Sequence, residues 1–569
     1  MYHPISDYGI IGDLYTVALI NRTGSIEWLC LPFLDSPSVF GALLDNEKGG
    51  CFSISPEGSY DSTSNYIEDT NILVTSFRSS TGKAELTDFM PVSNEGEELF
   101  EEHNSVIFRI IEVTRGNMSF IINFDPAFDY ARSLSRISRK ENTITASNGN
   151  TQLHLMATVP LEAERERSVT TINIDQGEKV YFALAYEKKE DLVCSGERVE
   201  SYLEKTLQYW KKWLSRAETG RNIDLGYFRE SVNRSALTLK LLYYDPTGAI
   251  AAAATTSLPE EVGGIRNWDY RYSWVRDTSF TLQALFKLGH LSETEGYLRW
   301  IEGLIPECAA GNIRIMYGLR GDEVQFESFL DHLEGYKGSR PVRTGNEAAL
   351  QTQLDVYGEI MDAALKLSDY AGKIDISMWP FLRNICNHVT RNWMERDMGI
   401  WEVRGGPYHF VYSKVMCWVA LDRGSRIARR YGFPGETEYW EQTASKIKEE
   451  VLDKGWNSVE GYFCQHYETD AIDASALMIP ISGFLPFSDI RVRSTVKKIR
   501  EKLEREGLVY RYRNEDGLSG EEGVFLLCSF WLIDCLIGMG ELEEAQLLLC
   551  RIQGLANHLG LFSEEYDPE

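Results

Sequence analysis

Two hydrophobic periods divide this chain, and no single layer of secondary structure can satisfy both. Up to about residue 190 apolar and polar residues alternate in short runs; from Ser201 onward apolar residues recur three and four apart. The first pattern suits strands that bury one face, and the second suits helices with one apolar stripe. The alternating runs are Val17–Phe33, Gly50–Ile54, Asn71–Phe77, Ser105–Val113, Ser119–Phe124, Thr151–Val159 and Lys179–Tyr186, parted by Gly, Asn, Asp and Ser turns. Many short strands with frequent turns predict an N-terminal antiparallel β-sandwich over residues 1–200. Residues 201–226, with SYLEKTLQYWKKWLSRA at their start, predict a helical linker whose Trp210 and Trp213 pack on a neighbouring domain. Residues 227–569 carry eleven helical stretches, at 228–243, 277–289, 292–304, 344–367, 374–395, 412–431, 437–454, 471–480, 488–505, 521–538 and 541–556. Helices paired by loops of alternating length predict an (α/α)6 barrel, an inner ring inside an outer one. That barrel takes twelve helices, so the expectation is one lacking its last helix.

A chain of 569 residues with 43% hydrophobic content can bury more than one core. Its net charge of −27 argues against nucleic acid or an anionic membrane as partner, since both attract basic surfaces. No secretory signal opens the chain, and no apolar run is long enough to span a bilayer. Ten scattered cysteines without a CxxC pair fit reduced thiols in a cytoplasmic protein better than a disulfide framework or a metal site. Phosphate-loop, dinucleotide and HExxH motifs are absent, so neither cofactor nor metal is expected. Nothing fixes the oligomeric state, and a homo-oligomer is left open.

The chemistry concentrates in a few loops. Trp268 to Asp277 reads WDYRYSWVRD, four aromatic residues among two arginines and two aspartates, ending at the mouth of a predicted helix. Flat rings stack on the C–H faces of sugars while charged forks hold hydroxyls; a loop that merely closes a core, with Arg276 and Asp277 paired to each other, is the competing reading. The loops Ala253–Asp277, Asn312–Asn346 and Asp397–Phe410 are long, and long ordered loops tend to carry function. Glycoside hydrolysis takes two carboxyl groups, an acid at the leaving oxygen and a base or nucleophile opposite. Glu402 lies in GIWEVRGG behind an Ile-Trp wall. An indole desolvates a neighbouring carboxyl group and favours its neutral form, the state a general acid needs. A glutamate serving only a helix dipole is the alternative. Glu564 lies in GLFSEEYDPE, where a solvated chain end competes. Arg511 in VYRYRNEDG repeats the aromatic–arginine pattern, with a structural ion pair as its alternative. His409 and Lys414 read as supporting residues, Met416 and Cys417 as core.

These blocks resemble glycoside hydrolase family 15, the glucoamylase-type exo-glucosidases, in its prokaryotic two-domain form. The similar stretches are IGDLYTVALINRTGSIEWLCLPFLDSPSVFGALLD, SLPEEVGGIRNWDYRYSWVRDTSF, HLEGYKGSRPVRTGNEAALQTQLDVYGE, GIWEVRGGPYHFVYSKVMCWVALDR and GLSGEEGVFLLCSFWLIDCL, in that order across nearly the whole chain. The resemblance implies a β-sandwich joined to an (α/α)6 barrel, and inverting hydrolysis of α-linked glucosides from the non-reducing end. It implies Glu402 as general acid and Glu564 as general base. It places the terminal glucose on Trp274, Arg276 and Asp277, with Tyr270 at the water, Trp401 lining the first sugar subsite and Arg511 as a further sugar-binding arginine. The expected partner is an oligosaccharide or disaccharide substrate, with no cofactor. The stretch that follows the base in this family has no counterpart after Glu569, so Glu564 is expected on a fraying end. The leading substrate is an α-1,4-glucan or maltooligosaccharide, with trehalose the close alternative. A truncated glucan-binding protein without activity, and a phosphorylase on the same barrel, are the rival readings; the Ser563-Glu564 pair argues against the latter. The leaving-sugar subsite is expected from the Asn312–Asn346 loop.

Overall fold

A computed structural model describes residues 2–94, 105–187, 192–219, 225–304, 313–514, 517, 520 and 522–568. The N-terminal part is an assembly of fourteen β-strands in which every pairing is antiparallel. One strand, Val106–Asp125, belongs to both of its layers. Its first half pairs with Gly82–Phe89 and Lys179–Tyr186, its second with Cys51–Pro56 and Ser168–Asp175. Ser105–Val113 and Ser119–Phe124, expected as two strands, are therefore one. The exposed residues Thr114 to Asn117 mark where it crosses from one layer to the other. Strands at Asp61–Tyr66 and Arg136–Lys140 escaped the sequence pattern because they are mostly exposed and polar and show no alternation to read.

Helix α1, Gly196–Thr219, starts five residues before the expected linker. Its Val199 and Tyr202 cover the outer face of the sheet, with Tyr202 stacked on Phe108. Further along, Trp210 and Trp213 are buried against the helical part, and Trp213 donates to Glu293 at 2.8 Å.

Among the described residues eleven helices follow: α2 (Arg229–Leu242), α3 (Val275–Lys287), α4 (Leu291–Leu304), α5 (Asp355–Ala371), α6 (Trp379–Asn392), α7 (Val411–Tyr431), α8 (Thr437–Lys454), α9 (Met478–Ile481), α10 (Ile490–Leu503), α11 (Leu526–Met539) and α12 (Leu542–Gln553). Helices α3, α5, α7, α9 and α11 pack on one another in sequence as an inner ring; the other six lie outside them. The helix expected from residue 344 begins only at Asp355. Gly345, at φ 78°, turns the chain, and Asn346 caps a short 3-10 turn over Glu347–Leu350. Of the eleven residues so removed from the helix, Asn346 and Ala348 line the central pocket.

This architecture places chemistry by polarity. The segments just before the inner helices, Trp274, Gln353, Phe410, Asp473 and Phe525, lie at the helices' N-terminal ends, where the macrodipoles favour negative charge. A pocket opening there is suited to carboxylates and hydroxyl oxygens.

Candidate active site

All eight residues singled out from the sequence line one pocket: Tyr270, Trp274, Arg276, Asp277, Trp401, Glu402, Arg511 and Glu564. They come from four separate stretches of chain.

The Trp268–Asp277 segment forms one wall. Trp274 caps α3 and is buried, and its indole N–H donates to Glu402 Oε1 at 2.7 Å. Arg276 donates to the Ile400 carbonyl at 2.8 Å and lies 3.3 Å from the same Oε1; it also pairs with Asp277 at 3.2 Å. The competing reading, Arg276 and Asp277 spent on each other, is thus incomplete, since Arg276 reaches Glu402 as well. Both donors converge on Oε1, and none of the described residues hydrogen-bonds Oε2. Glu402 itself has φ 58°. A non-glycine residue held there costs roughly 1–3 kcal/mol, a strain that tends to survive at functional sites. It is held by its own N–H bonding the Gly399 carbonyl at 3.2 Å and by Gln351 donating to its carbonyl at 3.2 Å. Trp401 is anchored by donation to Asp473 at 2.8 Å, and Ser475 donates to the same carboxylate at 2.7 Å.

Glu564 faces the pocket from the C-terminal segment. That segment is not a fraying end: Leu526 N–H donates to the Glu564 carbonyl at 3.1 Å, and Glu565–Tyr566 pair with Val524–Phe525 as a two-residue ladder. The side chain keeps an open surface, but that surface belongs to a pocket walled by protein. Burial pushes its carboxyl up to about 7 against the pull of Arg511, with Asp277 and Glu260 adding to the rise. Burial, with Glu564 close by, also keeps the Tyr270 phenol protonated.

Arg511 lies beside Glu564 but is engaged. It donates to Glu522 at 3.0 Å and lies 2.9 Å from Glu565 and 3.4 Å from Glu260. The ion-pair reading of Arg511 therefore holds alongside its place in the pocket. Glu260 and Glu522 were not anticipated, nor was Arg266, which pairs with Glu522 and lies 3.8 Å from Glu260. Their signal was their place inside or beside stretches that resemble the family, but single carboxylates among 85 acidic residues carry no flag. Trp268 donates to Glu260 at 3.0 Å, and the guanidinium groups of Arg343 and Arg404 lie 4.5 and 4.8 Å from its ring.

The Asn312–Asn346 loop does not build this pocket as expected. Asn312 lies outside the described residues, and among the rest only Asn346 lines it. Most of the loop is drawn to the sandwich: His332 bonds the Tyr130 carbonyl at 2.6 Å and Tyr336 donates to the His3 carbonyl at 2.9 Å. Lys414 is buried and donates to the Trp393 carbonyl at 2.7 Å, a supporting role. No cluster of metal ligands occurs among the described residues, and none of their helices is long and apolar enough to cross a membrane.

With this geometry in view, comparison with known proteins defines the class. The profile of glycosyl hydrolases family 15 matches residues 226–569, and a trehalase-like N-terminal profile matches residues 2–190. The chain belongs to glycosyl hydrolases family 15 and is a glycoside hydrolase. It is 37% identical over 606 residues to a trehalase of Mycolicibacterium smegmatis, covering 100% of this chain and 88% of the relative. A trehalase of Thermoplasma volcanium is 35% identical over 573 residues, covering 100% of this chain and 90% of the relative. A bacterial glucoamylase solved in complex with acarbose superposes with a TM-score of 0.71 at 12% identity, covering 100% of this chain and 90% of that one, a likeness of fold.

Proposed function

We propose that this glycoside hydrolase is a trehalase that cleaves α,α-trehalose with inversion, Glu402 acting as general acid and Glu564 as general base. The observation that carries the substrate is similarity along the full chain to proteins named trehalase, at 37% identity, over both domains. It favours the disaccharide over the α-1,4-glucan that the glucoamylase resemblance suggested first.

The pocket supports the chemistry in outline. Glu402, through Oε2, gives its proton to the glycosidic oxygen as the bond breaks. The carboxylate that develops is stabilised at Oε1 by Trp274 and Arg276, donors already in place before reaction. Glu564 takes a proton from the attacking water; a base that titrates near neutrality is matched to that task. Arg276 and Asp277 hold hydroxyls of the glucose that is attacked. Trp268 and Arg404, which line the same pocket, offer a ring and a guanidinium to the second glucose. No group outside the chain is needed for either proton transfer.

Incubation with trehalose, maltose and starch, reading glucose release, tests the substrate. Turnover of maltose or starch with none of trehalose would reject it. Stereochemistry tests the mechanism independently. Inversion at one anomeric carbon of trehalose gives one β-glucose while the leaving glucose stays α, so proton NMR of the first products shows both anomers equally. Initial α-glucose alone would reject inversion and the role of Glu564.

A further inference from the structure

The Glu564 segment is held by two different domains. On its C-terminal side it is fastened to the barrel, by the ladder to Val524–Phe525 and by the pairing of Glu565 with Arg511 at 2.9 Å. On its N-terminal side it is fastened to the sandwich. Asn557 uses its whole amide there. Its Oδ1 accepts the N–H groups of Leu559 and Leu561 at 2.9 and 3.0 Å, which closes a tight loop. Its Nδ2 donates to the carbonyls of Ser6 and Tyr8 at 3.1 and 3.2 Å, which ties that loop to the edge of the sandwich. Between them Leu559 is buried among the sandwich's own core residues, against Gly9 and Leu73. Four residues separate this plug from Glu564.

The Trp268–Asp277 wall is referenced to the same domain. Arg271, one residue from Tyr270, is buried and donates to the Ser36 carbonyl and to the Tyr130 hydroxyl, both at 2.8 Å. It also donates to Cys30 Sγ at 3.4 Å and holds Asp269, whose carboxylate in turn accepts the Gly345 N–H at 3.2 Å. The turn that presents Tyr130 has three successive non-glycine residues in the left-handed region: Asp129, Tyr130 and Ala131, at φ 50°, 55° and 62°. Such a run is strained and persists only where surrounding contacts enforce it.

We propose that the N-terminal sandwich is a positioning element of the active site: through Asn557 and Leu559 it sets where Glu564 stands relative to the sugar wall, which it grips separately through Arg271. The domain acts on catalysis through Glu564 and touches no substrate. This rests on the assignment of Glu564 as base.

Asn557→Asp separates the two functions of the amide. The carboxylate keeps acceptors for Leu559 and Leu561, so the loop closes, but it faces the Ser6 and Tyr8 carbonyls without a proton to give. In the full chain we expect kcat on trehalose to fall by about 10- to 100-fold with KM within about threefold, because ångström-scale displacement of a catalytic group from a distant change has that effect. Amides of Phe562–Tyr566 should exchange hydrogen faster, while those of α7 stay as in the wild type. Wild-type kcat measured well below the melting temperature, with unchanged exchange at Phe562–Tyr566, would overturn the proposal; so would a fall in stability alone. The exchange readout needs no turnover. A wild-type chain inactive on every α-glucoside would therefore refute the function while exchange still decided the tether. Leu559→Val, which shortens the plug by one methylene, carries the same two readouts if Asn557→Asp does not fold.

Discussion

Trp274→Phe removes one hydrogen-bond donor and keeps an aromatic ring, so its effect can be worked from the geometry of Glu402. Two donors meet at Oε1, the Trp274 N–H at 2.7 Å and Arg276 at 3.3 Å. If Glu402 is the general acid, it becomes a carboxylate as the glycosidic bond breaks, and these donors bind that charge more strongly in the transition state than before it. Only such differential stabilisation raises kcat. A hydrogen bond to a charged group is worth about 1.5–3 kcal/mol, and each 1.36 kcal/mol is tenfold in rate. The loss would be about 10- to 150-fold if nothing compensated. Arg276 remains and can tighten, so about 10- to 50-fold is expected. Steady-state kinetics on trehalose should show this loss in kcat with KM little changed. The deficit should shrink on 4-nitrophenyl α-glucoside, whose leaving group needs no proton. An equal deficit on both substrates, or a rise in KM with kcat intact, would refute the reasoning and make Trp274 a wall of the sugar pocket and nothing more. A melting temperature measured alongside separates either outcome from lost packing against Tyr270, whose ring lies 5.7 Å away.

Glu402→Ala should cost about 10²–10⁴-fold on trehalose yet much less on 4-nitrophenyl α-glucoside, whereas Glu564→Ala should be inactive on both; the reverse pattern would exchange the two roles. Because burial pushes Glu564 up to about 7 and a base must be ionised, kcat/KM should rise with pH through that region; a profile that falls there would make Glu564 the acid. Four buried carboxyls are held above their unfolded values, Asp355 to about 7, Glu359 to about 8, and Asp397 and Asp473 to about 6, each mainly by burial. The native state then binds more protons than the unfolded chain, so stability should be lost as pH rises from about 4 through 8. Calorimetric Tm should be higher at pH 5.5 than at pH 8, and Asp355→Asn should flatten the slope; a Tm that climbs over that range would contradict this reading.

Period and order made much of this molecule legible, but at different depths. Strands with one buried face, such as Cys51–Pro56 and Leu73–Arg78, announce themselves by alternation; the solvated edge Arg136–Lys140 has no such face and stayed silent. Helices were legible from their stripes, yet the start of α5 was misplaced, because an apolar stripe does not show where Gly345 and Asn346 turn the chain away. Local chemistry pointed to the Trp268–Asp277 run and offered Glu402, Glu564 and Arg511 beside competing readings; the family resemblance is what gave all eight pocket residues their roles. Two expectations fail in the same direction. The sequence places the Asn312–Asn346 loop at the leaving sugar and Glu564 on a loose end, and neither expectation takes the other domain into account. In each case the other domain decides: the sandwich draws the loop toward Tyr130 and His3, and takes Leu559 into its own core. A contact between domains spans hundreds of residues and leaves no period behind. Asn557 and Leu559 look, in sequence, like an ordinary polar turn after a helix, and only the fold shows that this turn fixes the segment bearing Glu564 from a second side.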